Sequence, residues 1–185
     1  IINTYPKISD PRTRKTLAAT LGRISSLEAV STLLPDLANL DEELLAQVIE
    51  VLGNLKASSA VEGLTKNLYH SSPRIRWCAI NALRQIKDPQ SVPALEKCLG
   101  DTATISMYAH PICEEAANAL TDIWTDEARE AAATYYLNRL NSTSVNSDDW
   151  YLLENRINIT GSDRAMAAMK LIKSQKLTQE IHSVN

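Results

Sequence analysis

The sequence predicts an all-α fold, a right-handed α-solenoid of helical hairpins closed by a C-terminal helical cap. Three observations lead there. The chain repeats itself with a period of 31: Asp10, Leu17, Leu21, Gly22 and Ile24 fall on Asp41, Val48, Leu52, Gly53 and Leu55. A further 31 residues places Pro11, Arg12, Arg14, Leu21 and Ile24 on Pro73, Arg74, Arg76, Leu83 and Ile86. Within a copy, apolar residues recur at three and four positions, as in Ala79, Ile80, Leu83 and Ile86, which is one face of a helix and not the alternation of a strand. The second half of each copy keeps register too, since Ala29-Val30, Ala60-Val61 and Ser91-Val92 coincide, as do Leu33, Leu64 and Leu95. A self-similar helix pair buries its apolar face only by stacking on copies of itself.

The elements follow in order. Residues 1–9 occupy the register of a second helix with no first helix before it, a partial unit expected to be the cut end of a longer solenoid. Its Ile2, Tyr5 and Ile8 then form an apolar patch through which two copies can associate. Four repeats follow, at 10–40, 41–71, 72–104 and 105–140, each a helix, a tight turn and a second helix. Gly22 and Gly53 stand near first-helix ends, and Asp88-Pro89 offers an N-cap followed by proline at the first helical position. Pro35 falls inside the second helix of the first copy, which should kink or break there. The fourth copy matches the third at an offset of 37, with Ala116, Leu120 and Ile123 on Ala79, Leu83 and Ile86, so six residues are inserted within "GDTATISMYAH". Residues 141–185 leave the repeat spacing and form the cap: Asp148 or Asp149 opens a helix with Trp150, Leu153 and Ile157 inward, Gly161 helps end it, and Asp163 opens a last helix with Met166, Met169 and Ile172 inward.

Composition narrows the function classes. A chain of 185 residues suits one domain that buries roughly two-thirds to three-quarters of its unfolded surface. Net charge is −3, with 12 Lys/Arg against 10 Asp/Glu in residues 1–100 and 7 against 12 in residues 101–185. An acidic balance argues against a nucleic-acid partner. No apolar run approaches a membrane span and the start lacks the pattern of a signal peptide, so no membrane partner and a cytoplasmic location are expected. Cys78, Cys98 and Cys113 lack the paired spacing of a zinc site and read as buried or half-buried thiols. His70, His110 and His182 are scattered, and with five Gly there is no phosphate-cradling loop, so neither metal nor cofactor is expected.

The residues Pro73-Arg74-Ile75-Arg76, Ala79, Ala82-Leu83, Ile86, Asp88, Val92-Pro93-Ala94-Leu95 and Leu99-Gly100-Asp101 carry a resemblance across residues 10–140. They resemble the PBS-lyase HEAT-like repeats, short relatives of HEAT and armadillo repeats. The resemblance implies the solenoid. For function it implies either a scaffold or recognition module, or a bilin lyase-type or phycobilisome-associated subunit acting on phycobiliproteins. Lyase-isomerases of that family place His and Cys side by side, whereas "HPICEEA" separates His110 from Cys113 by two residues. No catalytic residue is carried over.

The function expected is therefore a non-catalytic scaffold whose partner is another protein or another domain of a longer parent chain. Second helices should line a concave surface presenting Glu62, Lys66, Tyr69, Glu96, Lys97, Tyr135 and Arg139, with Met107, Tyr108 and His110 added by the insertion. Trp77 shares its register with Lys15 and Ala46 and has polar helical neighbours Asn81 and Arg84, so it is expected exposed on the convex side. Trp124 is expected under the C-terminal cap. Arg14 and Arg76 share one register position, which suits an inter-repeat hydrogen bond to a loop Asp or carbonyl better than a ligand contact.

Overall fold

The structure, a computed structural model, describes the chain except for Ser25, Leu40, Ser106, Met107, Asn146, Val184 and Asn185, and except for the side chains of residues 108–110 and 180–183. Two compact units make it up, Ile1–Ile123 and Trp124–Asn185. In the first, a 3₁₀ turn (Tyr5–Lys7) leads into α1 (Pro11–Ile24), α2 (Leu27–Leu33), α3 (Glu42–Asn54), α4 (Val61–Asn67), α5 (Pro73–Ile86) and α6 (Val92–Lys97). A short antiparallel hairpin, β1 (Thr104–Ile105) and β2 (Tyr108–Pro111), then precedes α7 (Ile112–Ile123). The second unit holds α8 (Asp126–Asn141), α9 (Asp148–Thr160) and α10 (Asp163–Ser183). The division falls between α7 and α8, the two helices of the fourth copy.

The first unit is a helical solenoid. First helices α1, α3, α5 and α7 pack each on the next, and α2, α4 and α6 lie against the first helix of the copy that follows. The stacking core is the repeated leucine of the first helix: Leu21, Leu52, Leu83 and Leu120 are all fully buried. Second helices are shorter than the sequence period suggests, with six or seven α-helical residues extended by 3₁₀ turns. Pro35 acts as expected. The α-helix stops at Leu33 and continues as the 3₁₀ turn Leu34–Ala38, because proline at this position cannot donate to the preceding turn.

The inter-helix turns are made differently from the expectation. Gly22 and Gly53 do not form them; both sit inside helices without positive φ. Instead Lys56, Lys87 and Trp124, one register position in three copies, adopt left-handed conformations with φ of 50°, 59° and 65°. At the end of α5 the Lys87 N–H donates to the Leu83 carbonyl at 2.8 Å, a left-handed helix cap without the usual glycine. Lys87→Gly should raise stability by about 0.5–1 kcal/mol, the steric penalty of a Cβ in this region less the entropy glycine loses on folding. Urea denaturation of the two proteins checks this.

Polar groups tie together the ends of the first and third copies. Arg14 donates to Asp36 at 2.6 Å, and Arg76 donates to both oxygens of Asp101 at 2.7 and 3.2 Å and to the carbonyls of His70 and Ser71. The structural role expected of these arginines holds, but each carboxylate lies within the arginine's own copy. The chain returns to the start of the first helix when the second helix ends, which brings the loop Asp alongside. Burial alone would raise the Asp101 carboxyl, but the Arg76 donors and the Ala103 N–H outweigh it and hold it below the usual range. Its contribution to stability is present above the unfolded carboxylate pKa and is lost as pH falls through the lowered value. Asp101→Asn should flatten the acid side of the stability–pH curve, measured by thermal melts between about pH 3 and pH 7.

The N-terminal patch is a correction. Tyr5 is fully buried, donates its hydroxyl to Asp36 and lies under the Arg14 guanidinium at 5.1 Å. The segment is a 3₁₀ turn, not a second helix, and it folds its aromatic ring onto the first copy while Ile2 and Ile8 stay half-buried. In the second unit Trp150, Leu153 and Ile157 are buried as expected, but the cap of α9 is Ser147, whose Oγ accepts from the Trp150 N–H at 3.2 Å. Gly161 closes that helix at φ 64°, and α10 buries Ala165 and Met169 with Met166 and Ile172 half-buried.

Candidate functional site

On the first-helix face a groove runs between α3 and α5, formed of two adjoining hollows of about 310 Å³ each. Its walls follow from helical spacing. Glu43, Ala46, Gln47, Glu50 and Asn54 stand three and four residues apart on α3, and Arg74, Trp77, Cys78, Asn81 and Gln85 do the same on α5. Each residue of one set is the register partner of a residue of the other, 31 positions on. The repeat thus sets two equivalent stripes side by side, and the small Ala46 opposite the large Trp77 leaves a hollow between them. Ile105 of β1 also lines the first hollow.

Charge divides unevenly along the groove. At one end Glu43 accepts from Lys15 of α1 at 2.6 Å and from Arg74 at 2.5 Å, a ladder across three consecutive copies. These donors hold the Glu43 carboxyl down to about 2. All three side chains are 40 to 58% exposed, so solvent screening leaves the ladder little weight in stability. Further along, Glu50 is exposed and, among the described residues, makes no hydrogen bond or ion pair. Burial pushes the Cys78 thiol up, the Arg74 charge opposing and the Glu50 charge adding to the rise. Burial that disfavours the thiolate suits Cys78 to a lining role in the groove.

Of the residues selected from sequence whose side chains are described, Trp77 lines this groove. It is half-buried, not exposed as expected, because it stands in the groove between α3 and α5 and not on an open face. Glu62, Lys66, Tyr69 and Lys97 do point outward from the second-helix row: Tyr69 is 60% exposed, and Lys66 pairs with Glu62 at 2.8 Å. Glu96 is half-buried. Tyr135 and Arg139 belong to the second unit and are half-buried as well. The Arg139 guanidinium lies 6.0 Å from the Tyr135 ring, whose edge meets Tyr136, because α8 packs against both α9 and α10 and has less free circumference. Met107 lies outside the described residues, as do the side chains of Tyr108 and His110; the backbone of Tyr108 and His110 belongs to strand β2, where the broken period predicts an irregular loop. Trp124 is another correction: it is 57% exposed, with the Arg129 guanidinium 4.8 Å over its ring, since a left-handed residue just after a helix projects its side chain outward.

No disulfide joins the three cysteines; Cys98 and Cys113 are buried and Cys78 half-buried, in agreement with the sequence reading. Among the described residues no group of three His, Cys, Asp or Glu is gathered for a metal ion. No helix of the described residues is long and apolar enough to cross a membrane.

Comparison with known proteins places this geometry. The family model of HEAT repeats matches residues 31–107. Among solved structures, the chain is similar to an engineered protein at 22% identity and a TM-score of 0.62, covering 97% of this chain and 88% of that one. A second engineered protein matches at 19% identity and a TM-score of 0.59, over 100% of this chain and 53% of its own length. The complex of CpcE and CpcF of phycocyanin lyase from Nostoc sp. PCC7120 matches at 21% identity and a TM-score of 0.55, over 94% of this chain and 84% of that one. No curated protein sequence matches the chain. At these identities the likeness is one of fold.

Proposed function

Because the chain is a HEAT-like repeat protein, we propose that it works as a protein-binding scaffold, its repeats presenting a row of second helices to another protein or to another domain of a longer parent chain. The observation that carries this reading is the exposed second-helix row, where Tyr69 stands 60% open beside the Glu62–Lys66 pair and Lys97 continues the row in the next copy. Tyrosine is a frequent binding hot spot, offering a large rigid contact area with a polar tip. Three cysteines outside any disulfide fit a reducing compartment such as the cytoplasm. Residues 1–140 are the working repeats in this reading, and 141–185 cap them.

Capture from a native lysate tests it. Tyr69→Ala combined with Lys97→Glu should lower recovery of the captured protein at least tenfold while helicity is unchanged. Undiminished recovery would remove this face from the proposal. A second reading draws on the likeness to the CpcE–CpcF complex: a lyase-type subunit that acts on phycobiliproteins together with a partner chain. Bilin transfer to an apo-phycobiliprotein by this chain with a co-expressed subunit would decide for it.

A further inference from the structure

The geometry points to the second hollow of the α3–α5 groove as a socket for a cationic side chain, a lysine or arginine carried on an extended segment of a partner protein. This rests on the scaffold reading above but gives the partner an anchor on the opposite row of helices, with a defined chemistry.

Glu50 is the central group of the socket. Among the described residues, the other ionised groups that line the groove share one ladder, in which Glu43 takes both Lys15 and Arg74. Glu50 lines both hollows and has no cation of its own among the described residues. Among the described residues it is the sole charged group lining the second hollow, in the company of the Trp77 indole and the amides of Asn54, Asn81 and Gln85. A carboxylate and an indole lining one hollow are the pair of features that attracts an ammonium or guanidinium, one through charge and the other through the ring quadrupole. Amide carbonyls supply acceptors for the remaining N–H donors of such a group. The amide of Asn81 is already turned away, since its Nδ2 donates to the Trp77 carbonyl at 3.0 Å, which leaves its side-chain oxygen as the free end.

Other occupants fit less well. An anionic group would face Glu50 directly, and a purely apolar one would bury a carboxylate without a partner. The adjoining hollow, which shares Glu50, Trp77 and Cys78, gives the flanking main chain a place to lie, so the cation is best delivered by a peptide. Its Lys15–Glu43–Arg74 ladder carries a net positive charge and discourages a second basic residue there, which sets the register of the segment.

The test needs no identified partner and so stands apart from the capture experiment. The full chain, labelled with ¹⁵N, is titrated with four blocked tripeptides, Ac-Gly-X-Gly-NH₂, in which X is lysine, arginine, norleucine or glutamate. Lysine and arginine peptides should shift the Trp77 indole N–H and the Gln85 side-chain amide saturably, with norleucine and glutamate at least tenfold weaker. Glu50→Gln should weaken the lysine peptide at least fivefold without moving the melting temperature, and Trp77→Leu should do the same with Glu50 intact. Equal binding of the norleucine or glutamate peptide, an unchanged affinity in Glu50→Gln, or shifts that cluster away from the groove would each overturn the socket. Loss of partner capture on changing Tyr69 and Lys97 would leave this result untouched, so the two readings fail independently.

Discussion

Leu83→Ala is expected to destabilise the chain by about 2–5 kcal/mol, the largest effect expected of a single substitution in the stack. Leu83 is fully buried near the end of α5, a helix that contacts α3, α4 and α7. Truncation removes one methine and two methyl carbons from water-excluded contact and leaves a cavity that four helices must collapse to fill. Because α5 is held between the first helices α3 and α7, collapse is restricted and the cavity term is large. Leu83→Met keeps the volume and should cost less than about 1.5 kcal/mol. Guanidinium denaturation of both variants checks the pair. A loss below about 1 kcal/mol in Leu83→Ala would show that the stack does not close on this leucine.

Gly53→Ala should destabilise by about 1–3 kcal/mol, although alanine is the better helix former by about 1 kcal/mol. A Cβ at Gly53 would stand 2.7 Å from the Cα of Ala82 and 2.9 Å from its Cβ, inside the contact distance of real carbons. Since the nearest atom is backbone, relief requires α3 and α5 to move apart. Gly22 holds the equivalent place between α1 and α3, but there the contact is the tip of Val51, 2.9 Å away. Two double variants separate these cases. Gly22→Ala with Val51→Ala should lose its clash, whereas Gly53→Ala with Ala82→Gly should keep most of it, because the Ala82 Cα remains. Thermal melts of the single and double variants report the difference.

What the sequence by itself determined is the stack. The 31-residue register names the core, for Leu21, Leu52, Leu83 and Leu120 are buried where the apolar period places them, and so are Leu33, Leu64 and Leu95. Pro35 shows its break, and Arg14 and Arg76 show their carboxylate partners, because proline geometry and the hydrogen-bonding demand of a half-buried guanidinium are local properties. What only the tertiary structure decided lies between copies. Glycines at one register position read as turn residues in a linear chain, yet they serve the approach of neighbouring helices, and the left-handed turn falls to Lys56, Lys87 and Trp124. Tyr5 stands at an open end by its register and instead closes over Asp36. The groove follows the same rule: its lining residues stand in plain register in the sequence, but a hollow is set by the distance between two helices and by which side chains fall short of filling it. That distance is fixed by packing at Gly53 against Ala82, a contact 29 positions apart that no local pattern contains.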